Sequence, residues 1–135
     1  MKLFESGKAI AAILKTISPP ARLAILLAIG EGEACVCHLE AVLGRRQAYI
    51  SQHLMALRQA EILLDRRDGR FVYYRIADPA LLALVRDAGC LAGVETASPP
   101  SAAVCECPHC AEVKPGYLLA PRASLDADTP TFQGS

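Results

Sequence analysis

Leu3, Ile10, Ile13, Leu14 and Ile17 recur at helical spacing with Lys and Glu elsewhere, which predicts an amphipathic helix over 3–17. Ser18-Pro19-Pro20 ends it and starts the next, with Ser18 as candidate N-cap and proline tolerated in a first turn. Residues 20–29 are apolar on almost every side, the mark of a helix central to a core, and Gly30 and Gly32 stop it. A third short helix is predicted over 34–43, closed by Gly44, and a fourth over 47–60 with Ile50, Leu54 and Leu57 facing inward. The period then changes. Residues 63–67 and 71–76 are β-rich runs separated by Asp68-Gly69-Arg70, a strong hairpin signal. Pro79 opens a last helix that runs to about Cys90.

Helix, helix, Gly-containing turn, helix and two-stranded hairpin is the order of a winged helix-turn-helix, in the mostly helical part of the α+β class. From Gly93 the composition shifts: six of the nine prolines lie beyond it, with Ser, Ala and acids. The expected organisation is therefore a folded unit over 1–92 and a cysteine-containing, Pro-rich tail over 93–135.

A chain of 135 residues that is 53% apolar and 21% charged can bury one core. No apolar run approaches the 18 residues of a membrane span, and no basic-apolar-small order marks a signal peptide. The expectation is a cytoplasmic protein without a membrane partner, whose six cysteines serve as thiolate ligands or redox groups rather than structural disulfides.

Formal net charge is zero, but its distribution is not even. Residues 45–75 carry seven Arg against Glu61, Asp65 and Asp68, a net of +4, while 93–135 carry a net of −3. A basic stripe in a neutral chain suits an element that meets phosphate, although a solvated Arg-rich face has the same composition. In the fourth helix the face opposite Ile50 presents Ala48, Gln52 and Met55, flanked by Arg45, Gln47, Tyr49 and Ser51. Gln pairs bidentately with adenine and Ala meets a thymine methyl. Arg45, Arg46, Arg66, Arg67 and Arg70 suit phosphates, which set affinity and register. His53 sits at the edge of the buried side and reads equally as a base contact or a structural histidine.

Three segments carry a family likeness: Cys35-Val36-Cys37-His38-Leu39, the stretch from Ala48 through Ile50-Ser51-Gln52-His53-Leu54 to Arg58, and the stretch from Leu64 through Asp68-Gly69-Arg70 to Arg75. Over residues 5–92 the chain resembles the arsenical-repressor (ArsR/SmtB) family of winged-helix metal sensors. The resemblance implies a homodimer built on the first and last helices, bound to double-stranded palindromic operator DNA and released by a toxic metal or metalloid.

The Cys35/Cys37 pair resembles the arsenic-sensing motif of that family. Glu40 stands where many such sensors carry a third cysteine, and His38 stands where an aspartate is usual. On a regular helix, residues two apart point about 200° from each other, so an ion gripping both sulfurs is expected to strain or unwind the third helix. A third sulfur has candidates in Cys105, Cys107 and Cys110, a cluster that alternatively forms a separate zinc or iron–sulfur site with Cys90 as fourth ligand. Cys90 reads more readily as a small buried residue. His38 and His109 adjoin thiols and are candidate nitrogen ligands, though exposure to solvent is the readier reading of each. Zinc-sensing relatives use Asp and His on the last helix, whereas 79–92 holds no His and only Asp87. A sulfur-dominated set favours As(III), Sb(III), Cd(II) or Pb(II) as inducer. Three alternatives stay open: a repressor switched by thiol–disulfide exchange without metal, a constitutive regulator whose cysteines are incidental, and a thiol oxidoreductase using the tail CxxC of Cys107 and Cys110. The last sits poorly in a Pro-rich tail.

Overall fold

Ile25, Leu26, Ala28 and Ile29 are all buried, so the segment that is apolar on nearly every side lies at the centre of the molecule, as its pattern requires. The computed structural model describes residues 2–96. Its elements are α1 (Lys2–Ile17), α2 (Pro20–Ile29), β1 (Ala34–Cys35), α3 (Val36–Leu43), α4 (Gln47–Gln59), β2 (Leu63–Asp68), β3 (Phe71–Ile76) and α5 (Pro79–Ala92). Around α2 one cluster gathers Leu39 of α3, Ile50, Leu54 and Leu57 of α4, Leu63 of β2 and Val85 of α5. The inward face expected for α4 is the buried one.

Helix ends follow local chemistry. Gly44 closes α3 and Gly93 closes α5, both in the left-handed region that glycine reaches without penalty. Asp78 caps α5, its carboxylate accepting from the Ala80 N–H at 2.9 Å. At the end of α4 a non-glycine, Glu61, takes φ 64°. Its N–H donates to the Arg58 carbonyl, and the Ile62 N–H donates to Leu57, which satisfies carbonyls the helix end would otherwise leave open. Ser18 is not the cap of α2. Pro19 occupies that position with no side-chain acceptor, and the Ser18 hydroxyl turns back to the Lys15 carbonyl. The Pro19-Pro20 pair instead sets a sharp bend, with α1 and α2 meeting at 82°.

The sheet has three strands rather than the two expected. Antiparallel order is β1-β3-β2, with Ala34 opposite Tyr74 and Cys35 opposite Tyr73. A two-residue strand is too short to show a period in sequence, so the signal over 34–43 is that of its helical continuation alone. The hairpin β2–β3 turns at Gly69, whose φ of 64° fits the Asp-Gly signal.

Two apolar surfaces lack cover within the described residues. On α1, Leu3, Phe4, Ile10, Ile13 and Leu14 are exposed and Ile17 alone is buried; on α5, Leu84 and Leu91 are exposed. Cys90 is also exposed, contrary to its expected burial, because the inward stripe of α5 is Leu82, Val85 and Gly89. No single helix among the described residues is long and apolar enough to cross a membrane.

Candidate functional site

Cys35 takes extended backbone angles (φ −89°, ψ 168°) as the last residue of β1 and the N-cap of α3. That conformation overturns the expectation that the two thiols diverge on a regular helix. With Cys35 outside the helix and Cys37 in its first turn, the two Sγ atoms lie 2.9 Å apart. At a metal–sulfur length of roughly 2.3 Å, two sulfurs on one ion stand about 3.3–3.8 Å apart. The pair therefore opens by less than about 1 Å to hold an ion, and α3 need not unwind. Cys35 is buried and Cys37 half-buried. The Cys35 sulfur also accepts from the His38 N–H at 3.4 Å, so it caps α3.

Tyr73, only 1% exposed, forms one cluster with Cys35, and Cys37 and Phe71 pack against it. No group of three His, Cys, Asp or Glu residues among the described residues is placed to hold a metal ion. The expected tail ligands Cys105, Cys107 and Cys110, with His109, lie outside the described residues.

The DNA-facing expectation meets a coherent surface. Gln47, Ala48, Tyr49, Gln52 and Met55 are exposed along α4, with Ser51 half-buried, and Arg45 and Arg46 are exposed just before it. Arg45 lies over the Tyr49 ring at 5.9 Å. On the wing Arg66, Arg67 and Arg70 are exposed. The guanidinium of Arg66 is engaged within the molecule, donating to both carboxylate oxygens of Glu33 at 2.8 and 3.0 Å.

His53 is a structural histidine in this arrangement. Its Nδ1 accepts from Arg22 Nε at 3.0 Å, while Arg22 Nη1 donates to the Thr16 carbonyl at 2.9 Å. The Tyr49 and His53 rings stand edge to face, their centroids 5.0 Å apart. One guanidinium thus ties the end of α1 and the body of α2 to α4. An Arg and a His 31 positions apart give no periodic signal, so the link was invisible in sequence.

Burial, and then the Arg22 charge, hold His53 below its ordinary pKa near 6.5. The neutral ring belongs to the fold, and the unfolded chain takes the proton first. Stability from this group is complete above about pH 6.5 and is lost as pH falls through the lowered folded value. His53→Gln keeps an acceptor for Arg22 without titrating. Urea midpoints measured from about pH 7.5 to 5 should fall more steeply for the wild type than for this variant.

The family description "Bacterial regulatory protein, arsR family" matches residues 19–63, which run from the start of α2 to the start of the wing. The "Arsenical resistance operon repressor" of Escherichia coli is 41% identical over 78 residues, covering 56% of this chain and 67% of that protein. The "Arsenic resistance transcriptional regulator ArsR1" of Pseudomonas putida is 54% identical over 56 residues, 42% of this chain and 43% of the relative. Among solved structures, the transcriptional repressor BigR from Xylella fastidiosa superposes with a TM-score of 0.62 at 31% identity, covering 67% of this chain and 92% of that one.

Proposed function

Because the chain belongs to the ArsR family of bacterial regulatory proteins, we propose that it is a transcriptional repressor. In this reading a dimer holds operator DNA through α4 and the wing, and releases it when a soft metal or metalloid bonds Cys35 and Cys37. One observation carries the reading: the two sulfurs sit 2.9 Å apart at the start of the helix that precedes the reader.

The chemistry suits arsenite. As(OH)3 meeting two thiols forms two S–As bonds and releases two waters, while Sb(III), Cd(II) and Pb(II) share the preference for sulfur. A third sulfur from Cys105, Cys107 or Cys110 would complete a trigonal set, and zinc or an iron–sulfur cluster on those tail residues is the alternative use of them. Release follows from the cap rather than from helix strain. Once bonded to an ion, the Cys35 sulfur is a poorer acceptor for the His38 N–H, and a lost N-cap costs about 0.5–2 kcal/mol. From α3 the chain passes through Gly44 directly into α4, so a loosened first turn shifts the seat of the reading helix. A coupling of about 1–3 kcal/mol changes operator affinity roughly 5- to 150-fold.

On the DNA, α4 presents Ala48, Gln52 and Tyr49 to base edges, and Arg45, Arg46, Arg67 and Arg70 meet phosphates. Arg67→Ala should weaken binding to every sequence alike and lower the salt slope by about one. Gln52→Ala should cost about 1–3 kcal/mol of discrimination at a single base pair. Titrations of operator variants at several salt concentrations separate the two effects.

The test of the whole reading is fluorescence anisotropy of a labelled promoter fragment titrated with arsenite, Cd(II), Pb(II) and Zn(II) in reductant. Release by a soft ion is the expected result. The short sulfur–sulfur separation favours a second reading, in which an oxidant removes two electrons and two protons to form a Cys35–Cys37 disulfide. Indifference to every ion in reductant, with release on oxidation, would select it.

A further inference from the structure

Three strands place three chemically different side chains in one row. Tyr73 at the middle of β3 is opposite Cys35 of β1 on one side and Arg66 of β2 on the other. Directly opposed residues share a sheet face, so thiol, phenol ring and guanidinium lie side by side. Contacts bear this out: Tyr73 clusters with Cys35, and the Arg66 guanidinium carbon stands 4.8 Å from the Tyr73 ring centroid. The same guanidinium is gripped at two points by Glu33, the residue immediately before β1 and two before Cys35. Its hydrogen bond to Glu33 raises the Arg66 pKa still further above neutrality.

We propose that Arg66 is a positioning residue that couples the thiol pair to the wing, not a phosphate contact; this rests on the reading of Cys35 and Cys37 as the inducer site. The path closes on itself. From Cys35 one branch runs along the backbone to Glu33, the other through ring contact to Tyr73, and both end on one guanidinium anchored in β2. A shift of Cys35 toward a bound ion moves either Glu33 or Tyr73 against Arg66. The outer strand of the wing must then follow, or the two-point grip must break. An exposed ion pair adds little to stability, with Arg66 half exposed here. The planar fork, held at two points and stacked on an aromatic, is instead suited to fixing orientation. Lysine has the charge but neither the fork nor the stacking plane.

The experiment is amide hydrogen exchange across residues 63–76 of the full chain in reductant, with and without arsenite. A parallel arm perturbs the thiols with iodoacetamide. Arsenite binding is followed separately by sulfur-to-arsenic absorbance. In the wild type, either treatment should change wing exchange by about threefold or more. Glu33→Gln and Arg66→Ala should lose most of that response while titrating with arsenite as before, and Arg66→Lys should recover less than half of it. An undiminished response in Arg66→Ala and Glu33→Gln, or a wild-type wing indifferent to both treatments, overturns the proposal. An Arg66-dependent response without operator release would leave the coupling standing and overturn the inducer reading instead.

Discussion

Replacing Cys35 and Cys37 together with serine is expected to leave operator affinity within about threefold and to abolish release by arsenite. The first half follows from the cap: serine is among the best N-cap residues, so Cys35→Ser keeps an acceptor for the His38 N–H. Both substitutions are close in size and leave the burial of Tyr73 intact. The second half follows from chemistry, since a hydroxyl is a hard, protonated group at neutral pH and does not compete for soft ions. Wild type and variant would be titrated with arsenite against a labelled operator in reductant. Undiminished release from the double variant would remove these two sulfurs from the sensing role and move attention to Cys90 or the tail.

The second large effect concerns the uncovered apolar faces. Placing charge at two of their positions, Ile10→Glu with Leu91→Glu, should convert a dimer to monomers and weaken operator binding about 10²- to 10⁴-fold. The reasoning is geometric. In the proposed dimer, a palindromic site read by two α4 helices would bind its second half intramolecularly, an advantage that vanishes when the protomers separate. Neither side chain is buried within one chain, so the monomer fold should survive, which circular dichroism would verify. Sedimentation velocity beside operator titration is the check. A variant that stays dimeric with full affinity would place the interface elsewhere.

Much of this was legible from periodicity. Ile50, Leu54 and Leu57 fall on the buried face that the 3.6-residue period assigns them, and the Asp68-Gly69 turn lies where its sequence puts it. The family likeness agrees with the family match over residues 19–63, which holds the Cys pair, and with the superposed repressor. What stayed hidden has a common physical cause. Cys35 leaves the helical register because two residues pair with β3, Ala34 with Tyr74 and Cys35 with Tyr73, and pairing so distant in sequence leaves no trace in a local window. The same holds for Arg22 with His53 and for Glu33 with Arg66, where polar partners meet only after the chain has folded. The consequence was large at the thiols. A regular helix would set them apart, whereas the extended Cys35 brings them together. Cys90 shows the opposite failure: a residue type that is usually interior lies outside because its helix turns other positions inward.

The sharp turn at Pro19-Pro20 carries α1 away from the body, leaving five large apolar side chains of a 16-residue helix in water. A helix of that length is marginal when it stands alone. In the proposed dimer its order is supplied by another copy, and folding of this arm becomes a second-order process. Dilute protein would lose its first helix before the rest, so circular dichroism at micromolar and nanomolar levels should differ. A cell holding few copies would carry chains with a frayed arm, and operator occupancy would rise with abundance more steeply than in simple proportion.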